Sequence, residues 1–431
     1  MLSACRELYL SLKRSVVNWS FSNGLIEETV LPEVITESAC GKETGTISFF
    51  TVSTSGFYLS VVDSAKQLYL YARKNDQWLL LSQLKLHKQV SCLLFSPSEG
   101  SLLIGDKSGD IYKLFISEGR IISEKDLTCI CGHLSLLSHL AISDDELYLA
   151  SCDRDEKIRI SRFSQPYVIQ SFCLGHTSFV SQLAFIPNSQ YLISTGGDGD
   201  FKVWNCVSGE CLSSYHVSVD ELPSPSSVSE SDSAEAVVSR LYVTQSNVIV
   251  CSFFSHPVLS AFYLHISKDN EAVHWGSRSF ISTPDNLPII DMVLFSNAKA
   301  NDDCITDSLI IGMCSTSVGV RLFSWKLTVQ YNAYEPLCSL KWEDPQRIDC
   351  MSDDILSKVP IPSPRTELLK LFFKCKPNDS MIQAYEDKKH LHQQNITQRH
   401  IRSQKMRKLN RASQNNINKE TIDDNDNNGN S

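Results

Sequence analysis

The chain has 431 residues, 42% of them hydrophobic and 21% charged, with a formal net charge of −9. That composition is ordinary for a globular protein, and the length allows one large repeat fold or two conventional domains. No apolar run approaches the roughly 18 residues of a membrane helix, and the opening MLSACRELYLSLKRS lacks an apolar signal core, so neither a membrane segment nor a signal peptide is expected. The acidic balance argues against a chain that grips nucleic acid by itself, because phosphate binding draws on clustered Lys and Arg.

Fifteen cysteines stand singly inside apolar runs such as SCLLF at 91–95 and LASCD at 149–153. That is how reduced core thiols are used, and it predicts an intracellular protein. Cys129/Cys131 and Cys173/His176 have metal-like spacings. No second pair completes four ligands, so neither a metal nor a cofactor is expected.

In chain order, a weak repeat begins near His87 with VSCLLFSPSEGSLLIGDKSGDIYKLF. A clearer copy starts at Gly132-His133, and the clearest at Gly175-His176. Superposed at a spacing of 43, His133 lies over His176, Asp155 over Asp198, and Ile158-Arg159-Ile160 over Phe201-Lys202-Val203. A period of about 40–45 residues, with Gly-His near the start and a Trp near the end (here Trp204), is the signature of a WD40 propeller blade. Each copy reads as four short alternating strands; in the clearest these are FVSQLAFI, QYLIST, FKVWN and CLSSY, with Pro187-Asn188 and 196–199 as turns.

Such a blade is braced by a hydrogen-bonded tetrad, and His176, Asp198, Ser194 or Thr195, and Trp204 fill its slots. A His, an Asp and a Ser in one unit also invite a hydrolase reading. The repeat assigns them to structure instead, and no catalytic residue is expected.

Beyond residue 217 comes a Ser/Pro/acidic insertion, bounded as 218–236 and expected to be a mobile loop. Strand-like runs then resume, with weaker blade tokens, to about residue 376. Seven blades of about 45–50 residues fit 1–376, and closing the ring leaves no exposed sheet edge. The expected class is therefore all-β, a WD40-type β-propeller. Residues 377–431 read as a basic, then Asn-rich, disordered tail. Its basic stretch is open to three readings: a nuclear-import signal, a phosphate contact or a solvated tail.

The blade at 133–173 departs from its own grammar. Asp153-Arg154-Asp155-Glu156-Lys157 packs five charges into a turn, and Ser161 occupies the Trp slot. The run DRDEKIRIS, followed by FCLGHTSFVS at 172–181 and with GDKSGD at 105–110, resembles the WD-repeat non-catalytic subunit of the eukaryotic tRNA (guanine-N7)-methyltransferase. The resemblance is good in the middle of the chain, loose at the amino-terminal blades and negligible in the insertion and tail.

It implies a nuclear heterodimer with an S-adenosylmethionine-dependent subunit that methylates N7 of a guanine in the tRNA variable loop, tRNA being held mainly through that partner. Arg154, Lys157 and Arg159, with Asp155 and Glu156 beside them, are the candidate partner contacts. Lys157 and Arg159 share a strand face by the period-two rule. The plainer readings are internal pairing within the turn and, for Arg159, a solvated cation in the slot of Lys202.

Two rival functions remain open in the sequence. One is a WD-repeat adaptor of another intracellular complex, such as a ubiquitin ligase; the other is a hydrolase built around the central channel.

Overall fold

The computed structural model describes residues 2–4, 7–11, 15–20, 26–30, 46–75, 77–116, 123–223, 236–267, 272–296, 305–316, 320–331, 338–348 and 356. All lie within the compact unit Met1–Phe373. The tail 377–431 and the insertion residues 224–235 fall outside the described residues, so the expectations for them are not addressed by the structure.

The strands form seven antiparallel sheets, each pairing in chain order. Their first strands are Leu2–Ala4, Ile47–Val52, Val90–Phe95, Leu137–Ile142, Val180–Phe185, Val238–Val243 and Ile289–Ser296. Each of these touches the next, and Ile289–Ser296 touches Leu2–Ala4, which closes the ring. The molecule is a seven-bladed β-propeller; blades are numbered 1–7 below in chain order.

Seven apolar clusters sit at the seven junctions. Blades 4 and 5 meet through Ala150, Cys152, Ile160, Leu183 and Trp204. Blades 5 and 6 meet through larger groups, including Phe201, Phe253 and Phe262. The ring is closed between blades 7 and 1 by Leu8, Leu10, Val17, Ile311, Met313 and Leu322. Among the described residues no strand is shared across that closure, where the two blades meet through this apolar cluster.

The first strands of blades 2–7 each carry a bulge that leaves one residue without a register partner: Ser48, Ser91, Ser138, Ser181, Ser239 and Ile290. A bulge bends the strand and sharpens its twist. It also disturbs the ladder, and the serines answer this locally. Ser138, Ser181 and Ser239 donate to the carbonyls of Cys152, Thr195 and Ser252 at 3.1, 3.2 and 3.2 Å.

The cysteines behave as small hydrophobes. Cys92, Cys152, Cys173, Cys206, Cys251, Cys314 and Cys338 are buried and free. Burial raises the thiol pKa of Cys92 and Cys314 to about 12 and of Cys338 to about 11. Among the described residues, no group of three or more His, Cys, Asp or Glu is placed to hold a metal, and no helix is long and apolar enough to cross a membrane.

The described roots of the insertion are fixed. Val219–Glu221 forms a 3-10 turn, Leu222 and Ala236 are buried in the blade 5–6 cluster, and Arg278 donates to Glu221 at 2.5 Å and to the Tyr215 hydroxyl at 2.6 Å. The expected mobile loop at 218–236 therefore begins too early: residues 218–222 belong to the packed blade. Leu222→Ala should lower stability by about 2–5 kcal/mol, the usual range for a truncated buried Leu. Replacing 224–235 by a Gly/Ser linker of equal length should leave the urea midpoint unchanged. Denaturant titration of both variants tests the boundary.

Candidate partner-binding site

Blade 5 comprises Val180–Phe185, Tyr191–Gly196, Asp200–Asn205 and Cys211–His216. Its tetrad is assembled at hydrogen-bonding distances. His176 Nδ1 meets the Asp198 carboxylate at 2.9 Å, His176 Nε2 meets Ser194 Oγ at 2.7 Å, and Trp204 Nε1 donates to the same Oγ at 2.7 Å. Of the two candidates for the hydroxyl slot, Ser194 fills it. Thr195 points the other way along the period-two strand and meets Ser181 Oγ at 3.2 Å.

Blade 4 comprises Leu137–Ile142, Tyr148–Asp153, Ile158–Arg162 and Gln165–Cys173. His133 Nε2 meets Ser151 Oγ at 2.7 Å, repeating the 18-residue spacing of blade 5. Its other nitrogen meets Asp153 Oδ2 at 2.9 Å. Asp155, expected in that role from the 43-residue superposition, does not occupy it; Asp155 is a turn residue whose backbone N–H donates to Asp153 Oδ1 at 2.9 Å.

The reason is local. Asp153 ends the second strand and already faces the histidine, whereas blade 5 has Gly196 there and reaches the histidine from Asp198, two residues on. Asp63 and Asp106 occupy the Asp153 position in blades 2 and 3, each accepting turn N–H groups at 2.7 Å. His87, expected to open the blade 3 repeat, is exposed.

Electrostatics separates these aspartates. Burial would raise the Asp153 carboxyl, but the bond from His133 and the amides of Lys157 and Asp155 hold it below the usual range. Asp198 is lowered in the same way by His176, Thr177 and Asp200 against its burial. Asp106 has no histidine, and burial leaves it raised.

The charged turn is built on this frame. Asp153 is 2% exposed, and Lys157 N–H donates to it at 3.3 Å. Glu156 takes φ 70°, where blades 3 and 5 use Gly109 and Gly199. Lys157 is exposed and Arg154 half-buried. Arg159 is only 9% exposed, so the expected shared exposed face of Lys157 and Arg159 is not formed, and the solvated reading fails too. The Arg159 guanidinium turns in across blade 3, where Nη1 donates to the Gly132 carbonyl at 2.9 Å.

Beside it, burial raises the Cys131 thiol despite the pull of the guanidinium. Nε and Nη2 of Arg159, and Nε of Arg154, are buried without an acceptor. Buried guanidinium N–H groups with no acceptor are costly and mark an incomplete network.

Sequence reasoning did not find the apolar rim of this face. Leu134 is 100% exposed, Leu174 63% and Phe172 48%, with Phe172 opposite Arg159 in the ladder. Leu134 and Leu174 each lie beside a Gly-His pair, in loops where an apolar residue has no packing role. That misplaced hydrophobicity was the available signal.

A ring of seven antiparallel blades with Gly-His openings and buried His–Ser–Asp networks defines a WD40-type propeller. Residues 118–305 match the family model of the tRNA methyltransferase TRM82 WD40 domain. The chain is 39% identical over 183 residues to the human tRNA (guanine-N(7)-)-methyltransferase non-catalytic subunit WDR4, covering 42% of this chain and 43% of that protein. It is 31% identical over 252 residues to the Drosophila melanogaster non-catalytic subunit wuho, covering 55% of each.

The matches thus span about half the length of these relatives or less. Among solved structures, a chain of the crystal structure of the mitotic checkpoint complex superposes with a TM-score of 0.52 at 20% identity, covering 72% of this chain and 82% of that one. At that identity it speaks for the fold only.

Ser194→Ala should cost about 1–3 kcal/mol for each donor it strands, Trp204 Nε1 being the more buried. The depressed carboxyls of Asp153 and Asp198 stabilise the fold above the ordinary aspartate pKa of about 3.9, and that contribution is lost as pH falls through their lower folded values. Asp198→Asn should therefore flatten the fall in stability below about pH 4. Asp106, raised in the fold, acts in the opposite sense, its contribution fading as pH rises through the folded value. Guanidinium titrations of the wild-type chain, Asp198→Asn and Asp106→Asn at neutral and acid pH check both signs.

Proposed function

We propose that this chain is a non-catalytic subunit that binds an S-adenosylmethionine-dependent catalytic subunit, for N7-methylation of guanine in the tRNA variable loop, as a nuclear heterodimer. The observation that carries the reading is the exposed apolar group of Phe172, Leu174 and Leu134, with Phe172 opposite Arg159 in the ladder and guanidinium nitrogens of Arg154 and Arg159 without an oxygen acceptor. A carboxylate on a partner would satisfy those donors in a water-poor setting, where charged pairs are strongest. Protein interfaces centre on apolar and aromatic groups, with Arg enriched among the residues that dominate binding.

Two further features support the division of labour. The dense glycine group at 196–199 is a hairpin turn, with Gly197 so close to the Phe179 ring that an added Cβ would lie 2.4 Å from it. It serves packing and has no helix start against which to cradle a cofactor. The net charge of −9 fits a subunit that leaves most of the tRNA contact to its partner. The names of the relatives supply the reaction, and the chain itself transfers no methyl group.

Affinity purification of the tagged chain with mass spectrometry tests the partner class. Recovery of a methyltransferase in equal amount supports the reading, and recovery of a cullin assembly without one refutes it. Lys157→Glu and Arg154→Glu should weaken the heterodimer without lowering the melting temperature. Arg159→Met should cost about 2–5 kcal/mol of binding, because it strands a partner carboxylate. Wild-type affinity in the Arg159 variant would remove the site.

A further inference from the structure

The turns between first and second strands open on the face opposite the charged turn, because neighbouring strands run antiparallel. On that face, side chains bind successive blades together. Glu99 of blade 3 reaches back to blade 2, accepting from Ser55 N at 2.5 Å and Ser55 Oγ at 2.7 Å. Glu146 of blade 4 reaches back to blade 3, accepting from Ser98 N at 2.6 Å. Ser55, Ser98 and Asp145 hold the same turn position, as do Gly56, Glu99, Glu146 and Ser189.

The next clasp is missing. Where it would form, the receiving residue is Asp145 and the reaching residue is Ser189, whose hydroxyl folds back onto the Ile186 carbonyl at 2.8 Å. Asn188 is committed forwards, to Gln245 of blade 6 at 3.1 Å. A cavity of about 550 Å³ occupies this junction, lined by Asp144, Asp145, Leu147, Tyr148, Phe185 and Gln190 among others. One Asp145 oxygen is taken by Ser143 Oγ and Leu147 N–H. Its second oxygen and the exposed Asp144 are left for a ligand. Leu147, 57% exposed, and the two aromatic rings give the cleft an apolar wall.

We propose that this cleft binds an arginine side chain presented by an extended peptide of a partner protein. The volume lies within the roughly 300–1,000 Å³ of ordinary ligand pockets and exceeds one side chain, so flanking peptide is accommodated. Carboxylates and aromatic rings in one lining suit a planar, weakly hydrated guanidinium, which stacks on rings and donates two parallel bonds to a carboxylate. The cleft opens away from the charged turn and does not depend on the function proposed above.

The test uses the full chain at physiological salt and a labelled peptide, fluoresceinyl-Ala-Ala-Arg-Ala-Ala-amide, read by anisotropy. Its citrulline counterpart and free spermidine are the competitors. Saturable binding of the arginine peptide is expected, with competition by neither. Asp144→Lys, at an exposed position with no described bond, should weaken binding roughly tenfold or more, since it replaces attraction by repulsion. Glu124→Lys makes the same change in net charge on blade 3 and should leave binding intact. Equal binding of the citrulline peptide, displacement by spermidine, equal losses in both charge variants, or no saturable binding would each overturn the proposal. Unchanged melting temperatures for the two variants show that the comparison is made on folded protein.

Discussion

A four-stranded sheet is too small to bury either of its faces, and every other feature of this molecule follows from that constraint. Each blade has a core only because its neighbours supply half of it. The seven apolar clusters accordingly fall at the seven junctions and none lies within a single blade. Stacking in a line would leave two end faces wet; closing the ring removes both. Close approach then becomes a requirement on particular residues. At Gly105 of blade 3 an added Cβ would lie 2.3 Å from Leu137 of blade 4 and 2.4 Å from Cys92, so a larger side chain there would push two blades apart.

Polar groups enter this frame where they can be fully paired, and the tetrad shows both the rule and its exceptions. In blade 5 the indole, the imidazole, the hydroxyl and the carboxylate satisfy one another. Blade 7 keeps the tryptophan as Trp325, opposite Ile310, just as Trp204 lies opposite Leu192. Its hydroxyl slot, however, is Gly312, and Trp325 Nε1 is buried without an acceptor. A Cβ at Gly312 would lie 2.8 Å from the Trp325 ring. The ring fills the space a serine side chain would need, with apolar contact in place of a hydrogen bond.

Local signals made the middle of the chain readable. Period-two alternation, the 43-residue spacing and glycine turns all act within one repeat, and they located blades 4 and 5 and most of the blade 5 tetrad. What they missed depends on geometry that spacing does not encode. Asp153 rather than Asp155 meets His133 because a carboxylate already stands at the strand end, where blade 5 has Gly196 and reaches the histidine from two residues on. Arg159 was readable as a partner contact or a solvated strand cation, yet it is buried against the end of blade 3, where Gly132 offers a carbonyl 27 positions earlier. The clasps on the opposite face join residues 44 and 48 positions apart, and neither member of a pair carries a motif. Blades 1, 6 and 7 have lost most of the polar tokens while keeping the apolar alternation, so they read only as strands.

The two faces of blade 4 are linked by one element. Tyr148–Asp153 begins at the cleft and ends at the charged turn, and its last five residues are buried. At about 3.3 Å per residue, the two ends are roughly 17 Å apart along a strand packed on both sides. A strand so enclosed can slide only by a whole register step, which would turn every side chain to the wrong face. Ala150 and Cys152, both 0% exposed, touch the blade 5 cluster, and Ser151 is held by His133, so each part of the strand is fixed by a different partner. Blade 4 is therefore a rigid spacer between its two turns. The strand thus offers no sliding route between the charged turn and the cleft.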